Sequence, residues 1–238
     1  PKVNFSVEVG SIDLHCFEKI DKIGSGGFGV VYRVKEKETE QIYAAKISIY
    51  PIDVCDSDVI INLSREINII SQLNHQAILN YVGFSPKNFK EKPKPVIVTE
   101  YASNGSLDEV LKLERIGCGK HEWNDTKKLI NIYGIASGMT YLHKKNILHR
   151  DLKPANILLD DFLYPKIADF GLSKIFTEED ELENKRKTPK TSGFKGTFLY
   201  CAPEVIEKEK YSKKGDVYSF GMIVYEIMTN EIPFKVTN

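Results

Sequence analysis

Scarcity narrows this chain before any motif does. Four cysteines, Cys16, Cys55, Cys118 and Cys201, lie far apart and without the paired spacing of a metal site. That argues against a disulfide scaffold and fits reduced thiols in an intracellular, cytoplasmic protein. No apolar run is long enough to span a bilayer; the most apolar late segment, Phe220 to Met228, is short and carries Glu226. No secretory signal is visible. Neither sign of charge is in excess, since Lys+Arg and Asp+Glu both number 33, so nothing global points to nucleic acid or an anionic membrane. No internal repeat appears. The first residue is Pro1 and not a methionine, so the expectation is an excised piece with room for targeting signals outside it. What is present is 238 residues, 42% of them hydrophobic, enough for one domain or for two lobes sharing a cleft.

Along the chain, residues 1–16 show no clear period and read as an N-terminal extension. Strand-like patterning follows. Phe17 to Ile23 leads into a glycine-rich turn; Val30, Tyr32 and Val34 alternate with Val31, Arg33 and Lys35; Ile42 to Ile49 is a third strand. Ile60, Leu63, Ile67, Ile70 and Leu73 recur at helix-face spacing and predict a helix over 59–73. Two more short strands fall near 79–84 and 96–101, joined by a basic, solvated hairpin loop at 87–94. After Tyr101 the character turns helical. Ser106 with Glu109 three residues on has capping-box spacing and opens a short helix. A longer helix is predicted over 126–145, capped by Asn124 or Asp125, with Leu129, Ile132, Tyr133, Ala136, Met139 and Leu142 as its buried stripe. His143 to Asn146 suits its negative end. Another apolar helix covers 216–228. The fold class is α+β: a sheet-rich part over 17–101 and a larger, mainly helical part over 102–238.

The chemistry concentrates in His149-Arg150-Asp151-Leu152-Lys153-Pro154-Ala155-Asn156 and in Asp169-Phe170-Gly171. Ile157-Leu158-Leu159 and Lys166-Ile167-Ala168 separate them, so the layout reads loop, strand, turn, strand, loop. Asp151 can accept the proton of an attacking hydroxyl. Lys153 can neutralise charge on a transferring group. Asn156 and Asp169 offer oxygens to Mg²⁺, a hard cation. Such parts suit phosphoryl transfer, where positioning and charge neutralisation supply most of the catalysis. Gly24, Gly26 and Gly29 have G-x-G-x-x-G spacing but are followed by alternating residues, which makes them a hairpin tip: a phosphate cradle or an ordinary flexible turn. A dinucleotide-binding oxidoreductase fails because no helix follows Gly29. Lys46 sits in an apolar strand. A buried ammonium needs a carboxylate, and Glu66 on the 59–73 helix is the natural one; the alternative leaves both in solvent.

Taken together these residues resemble the eukaryotic protein kinases across nearly the whole chain. Gly24, Gly26 and Gly29 with Val31 match the glycine-rich loop, Ala44-Ala45-Lys46 the third-strand lysine motif, and His149 to Asn156 the catalytic loop. Asp169-Phe170-Gly171 and Ala202-Pro203-Glu204 bound the activation segment. The resemblance implies a two-lobed fold: an N-lobe with a five-stranded antiparallel sheet and one main helix, and a helical C-lobe. It implies ATP and Mg²⁺ as cofactors and a protein substrate as partner, with no membrane segment in this chain. Lys46, paired with Glu66, would contact the α- and β-phosphates; Asp169 and Asn156 would hold two Mg²⁺; Asp151 would orient the hydroxyl. Val31, Ala44 and Leu158 would sandwich the adenine, with Thr99 as gatekeeper and Glu100, Tyr101 and Ala102 as hinge. Ile70, His149 and Phe170 look like members of a packed spine anchored by Asp216.

Local detail sets the substrate class. Lys153-Pro154 and Gly196-Thr197 are similar to the serine/threonine type, and 101–107 and 216–221 to the tyrosine-kinase-like group of signalling kinases; dual specificity stays open. Arg150, just before Asp151, implies a switch by activation-segment phosphorylation, at Thr191 or Ser192 by their distance before Glu204, with Thr188 second. An upstream kinase or trans-autophosphorylation would supply the phosphate. Family members usually continue past the position of Asn238 with three further helices, so the expectation is a C-terminally truncated domain with apolar surface uncovered on the 216–228 helix. The rival reading is a catalytically silent kinase-like binding module; loss of Lys46, Asp151 or Asp169 would have favoured it, and all three are present.

Overall fold

Two units organise the chain in the computed structural model, which describes residues 10–26, 29–51, 57–176, 197–207 and 211–234, with backbone alone at 57–62 and 197. The first unit comprises Pro1–Asn74 and Leu79–Ala102, the second His75–Ile78 and Ser103–Asn238.

Alternation builds the first unit. β1 (Phe17–Gly26), β2 (Gly29–Glu36), β3 (Ile42–Ser48), β4 (Tyr81–Ser85) and β5 (Val96–Glu100) form one antiparallel sheet in the order β1-β2-β3-β5-β4. The period of two sends Val34, Ala45, Val96 and Val98 into one core cluster and Phe84 with Ile97 into another. α1 (Ser57–Ile70) covers the second cluster through Leu63 and Ile67. It stops three residues short of Leu73, which is buried in the turn that follows. The first cluster is closed by Phe17 of β1 and by two residues from the stretch that shows no period, Ile12 and Leu14. Leu14 sits in a single 3-10 turn, Leu14–Cys16, whose first N–H groups are capped by Asp13, its Oδ1 accepting from His15 N at 2.9 Å. Leu14→Ala is therefore expected to cost about 2–5 kcal/mol of unfolding free energy in urea titration, the penalty of an emptied core position.

In the second unit the caps fall where the side chains predict them. Ser106 and Glu109 make a reciprocal capping box at the start of α2 (Leu107–Arg115), and Asn124 Oδ1 accepts from Lys127 N at the start of α3 (Asp125–Lys144). The buried face of α3 corrects the expected stripe. Asn131, Ile135, Gly138, Met139 and Leu142 are buried, whereas Leu129 is 59% and Tyr133 77% exposed. Apolar residues encircle this helix, so spacing alone does not choose a side. Gly138 marks the side chosen: a Cβ there would lie 2.7 Å from Ile167 Cδ1. Ile167 belongs to β8 (Pro165–Ile167), paired with β7 (Ile157–Leu159); β6 (Ile147–Leu148) pairs with β9 (Lys174–Ile175). α4 (Pro203–Ile206) is a single turn. α5 (Lys213–Thr229) begins at the Ser212 cap and ends on Asn230, whose φ of 57° is the left-handed cap. Val217, Tyr225 and Met228 on α5 are exposed.

Candidate active site

In the first unit the glycine hairpin runs from strand to strand. Gly26 stands opposite Gly29, and Gly24 opposite Val31. Residues 27–28 lie outside the described residues. Gly29 is demanded by packing, since a Cβ would lie 2.7 Å from Ile47 O on β3. Val31 pairs with Lys46, and Ala44 pairs with Thr99. Lys46 Nζ donates to Glu66 Oε1 at 2.7 Å, with the side chains 30% and 13% exposed. A half-buried ammonium is thus held by the helix carboxylate, the pairing that the apolar strand requires. Thr99 is buried near the end of β5; Glu100 Oε1 accepts from Asn80 N at 2.7 Å; Ala102 is buried just beyond.

In the second unit the loop after β6 is organised by one buried carboxylate. Asp216, near the start of α5, accepts from His149 N and Arg150 N at 3.0 Å each, from Tyr211 Oη at 2.7 Å and from His143 Nε2 at 2.8 Å. Burial pushes this carboxyl up, but the bonds from His143, Tyr211 and Arg150 outweigh it and hold Asp216 below the usual carboxylate range. Sequence reasoning named Asp216 as an anchor but gave His143 to the helix end and missed Tyr211. No local spacing links either of them to Asp216. His149 is fully buried; its Nδ1 accepts from Asp151 N at 3.3 Å, so Nε2 carries the proton and donates to Ala168 O at 3.1 Å. Ser173 Oγ donates to His149 O at 3.1 Å, another partner without a sequence signal. Arg150 takes a φ of 69°, an uncommon conformation for a side chain of its size.

This anchoring presents Asp151. Its Oδ2 accepts from Lys153 Nζ at 2.7 Å and from Asn156 Nδ2 at 2.9 Å. Its Oδ1 is buried and has no hydrogen-bond partner among the described residues. A buried carboxylate oxygen left so is costly and calls for a functional reason. Asn156 Nδ2 also donates to Asp151 O at 2.7 Å, so the amide's remaining polar face is its carbonyl oxygen. Beyond β8, Ala168 N donates to Asn156 O at 2.9 Å; Asp169, at φ 62°, is exposed, and Phe170 is fully buried with its ring 5.4 Å from that of His149. Leu158 is half-buried on β7. Among the described residues no three His, Cys, Asp or Glu side chains are grouped to cage a metal. The amide oxygen of Asn156 and the exposed carboxylate of Asp169 instead fit Mg²⁺, which takes one or two protein oxygens and completes its shell with phosphate and water.

A second buried charge, Glu226 on α5, was legible only as an interruption of an apolar run. It accepts from Arg115 at the end of α2 and from Tyr200 Oη at 2.5 Å, while Arg115 Nε donates to Asn230 O at 3.0 Å. Burial, with the Glu226 bond and charge, pushes the Tyr200 hydroxyl far up, so it remains a donor. Ser219 Oγ donates to Tyr200 O at 2.7 Å, fixing the turn that precedes Ala202 from both ends. Thr188, Thr191 and Ser192 lie outside the described residues. No helix among the described residues is long and apolar enough to cross a membrane.

Comparison with known proteins bears on the same residues. A family model for the protein kinase domain matches residues 17–238. A cysteine-rich receptor-like protein kinase of Oryza sativa subsp. japonica is 36% identical over 222 residues, 92% of this chain and 32% of that protein. A putative serine/threonine-protein kinase/receptor of Acanthamoeba polyphaga mimivirus is 36% identical over 219 residues, 91% of this chain and 12% of its own length. A serine/threonine-protein kinase of Arabidopsis thaliana is 31% identical over 239 residues, 99% of this chain and 37% of its own. The chain thus spans between 12% and 37% of the length of these relatives. With the kinase-domain match running from the first strand onward, over the five-stranded sheet and the helical unit alike, the chain belongs to the protein kinase family.

Proposed function

We propose that the chain transfers the γ-phosphoryl group of ATP to serine or threonine hydroxyls of protein substrates, with Asp151 as the group that receives the hydroxyl proton. The observation that carries this is the buried Oδ1 of Asp151, without a hydrogen-bond partner among the described residues, beside an Oδ2 pinned by Lys153 and Asn156. A substrate hydroxyl donating to Oδ1 is held with its oxygen free to attack phosphorus. The new O–P bond forms as the bond to the β-phosphate oxygen breaks. ADP leaves, and the hydroxyl proton passes to Asp151. Lys153, already within 2.7 Å of the carboxylate, offsets charge on the moving group. In the first unit, Lys46 held by Glu66 is a fixed cation for the α- and β-phosphates. Gly24, Gly26 and Gly29 let main-chain N–H groups approach them. Val31 and Ala44 would offer apolar surface to the base, with Thr99, Glu100 and Ala102 at its edge; Leu158, of the second unit, is assigned the same role by the family resemblance. Asn156 Oδ1 and the Asp169 carboxylate would hold Mg²⁺, which when bound neutralises phosphate charge.

Regulation follows from Arg150 as a cationic partner for a phosphate on Thr191 or Ser192, added by an upstream kinase or in trans. Phosphatase treatment is expected to lower turnover and mass spectrometry to find the loss at those positions; full activity with both unmodified would refute the switch. The transfer itself is tested by Mg²⁺-dependent labelling of a generic protein substrate, wild type against Asp151→Ala. Unchanged labelling by the variant would sink the assignment. Phosphoamino-acid analysis of the product decides between serine/threonine and dual specificity.

A further inference from the structure

The β4 edge of the first unit's sheet is occupied by the chain's own N-terminal segment. Ser11 pairs in parallel with Phe84: Ile12 N donates to Phe84 O at 3.0 Å, and Phe84 N donates to Gly10 O at 3.0 Å. Both main-chain groups of Phe84 are therefore committed to Gly10 and Ile12, while its side chain packs with Ile67 of α1 and Ile97 of β5. Ile97 stands opposite Phe84 on one side and opposite Lys46 on the other, and Lys46 stands opposite Val31. One row thus crosses the sheet: Ser11, Phe84, Ile97, Lys46, Val31. Directly paired residues share a face. On that face α1 sets Ile67 against Phe84 and Ile97, and Glu66, the preceding residue, against Lys46.

Gly83 shows that the close approach is built in. Its φ lies outside the left-handed region, so its backbone does not demand glycine. A Cβ there would lie 2.1 Å from Ile12 Cγ2 and 2.8 Å from Gly10 O. The missing side chain is what admits the segment. The segment is then secured further along, where Lys37 N donates to Cys16 O at 2.8 Å and Lys37 Nζ to His15 O at 2.7 Å.

We propose that Gly10–Cys16 is a positioning segment for the nucleotide site: by holding Phe84 it sets the seat of Ile67, and with it the Lys46–Glu66 pair. This rests on reading Lys46 as the phosphate-binding lysine. Among the described residues its long-range main-chain bonds go to Phe84 and Lys37, so it acts through β4 and α1. Packed rows of this kind transmit a displacement because an interior cannot absorb it without repacking.

Two substitutions in the intact chain test it. Gly83→Ala drives Ile12 off β4, and Ile12→Pro deletes the N–H that bonds Phe84 O while leaving β4 unaltered. Both are expected to speed amide hydrogen exchange in α1 and to weaken Mg-ATP affinity by roughly 2- to 30-fold in calorimetric titration, raising KM for ATP more than they lower kcat. Glu66→Gln, titrated alongside, separates the two readings. If it leaves affinity unchanged, the lysine assignment fails, while α1 exchange still reports on the coupling. Should Gly83→Ala lose its far-ultraviolet dichroism, Ile12→Pro decides alone. Wild-type exchange in α1 with residues 10–16 freed would overturn the proposal and leave the segment a mere cover.

Discussion

Asp151→Asn is expected to lower the single-turnover rate of phosphoryl transfer by about 10²–10⁴-fold while leaving ATP affinity nearly unchanged. The reason is in the bonding of the carboxylate. Lys153 and Asn156 both donate to Oδ2. An asparagine must put its single oxygen there, because an NH₂ group would face two donors. That places NH₂ where Oδ1 now stands, a donor at the point where the substrate hydroxyl needs an acceptor. Volume, packing and the ties to Lys153 and Asn156 survive, so the loss is confined to the chemical step. The comparison is a rapid-quench time course at saturating ATP, with nucleotide titration of the same preparations. A variant that transfers at the wild-type rate would remove Asp151 from the reaction, and one that no longer binds ATP would mean a structural effect.

The largest loss of stability is expected at Asp216. Asp216→Ala leaves His149 N, Arg150 N, Tyr211 Oη and His143 Nε2 facing a vacated site. Removing one side of such a buried charged network costs about 3–5 kcal/mol. Asp216→Asn keeps one acceptor oxygen and should lose less. The pH dependence carries a definite sign. The folded-state pKa of Asp216 is depressed, its upward push from burial outweighed by the bonds from His143, Tyr211 and Arg150. Its contribution is thus fully present above the unfolded carboxylate value of about 3.9 and is lost as pH falls through the lower folded value. Urea midpoints measured from neutral pH downward should fall more steeply below about pH 4 in wild type than in Asp216→Ala. Parallel curves would mean that the carboxylate is not held as its geometry shows. Turnover should drop as well, because the same two N–H bonds fix the backbone that leads into Asp151.

Much of this was legible in the residue order. The strands of the first unit follow from alternation, and the two helix caps of the second from Ser106, Glu109 and Asn124. The glycine hairpin, the strand lysine and the Asp151–Asn156 loop declare themselves because each needs particular residue types within a few positions. Lys46 and Glu66 could be matched across 20 residues, since a buried ammonium in an apolar strand demands a carboxylate and one was at hand.

Other features were not legible, for a common reason. The inner face of α3 could not be chosen from a helix apolar on every side; it was decided by where Pro165 and Ile167 come close enough to require Gly134 and Gly138. Residues 10–16 show no period because one turn and a two-bond pairing are too short to have one, yet Ile12 and Leu14 help close a core cluster. Arg115 and Glu226 are 111 residues apart, and His143 and Asp216 are 73. Motifs and periods are local, so residue order carries the family and most of the elements, and it nominates the candidate reactive side chains. Which face of an element is buried, and which distant donor meets which carboxylate, depends on how backbone surfaces come together, and that exists only once the chain has packed.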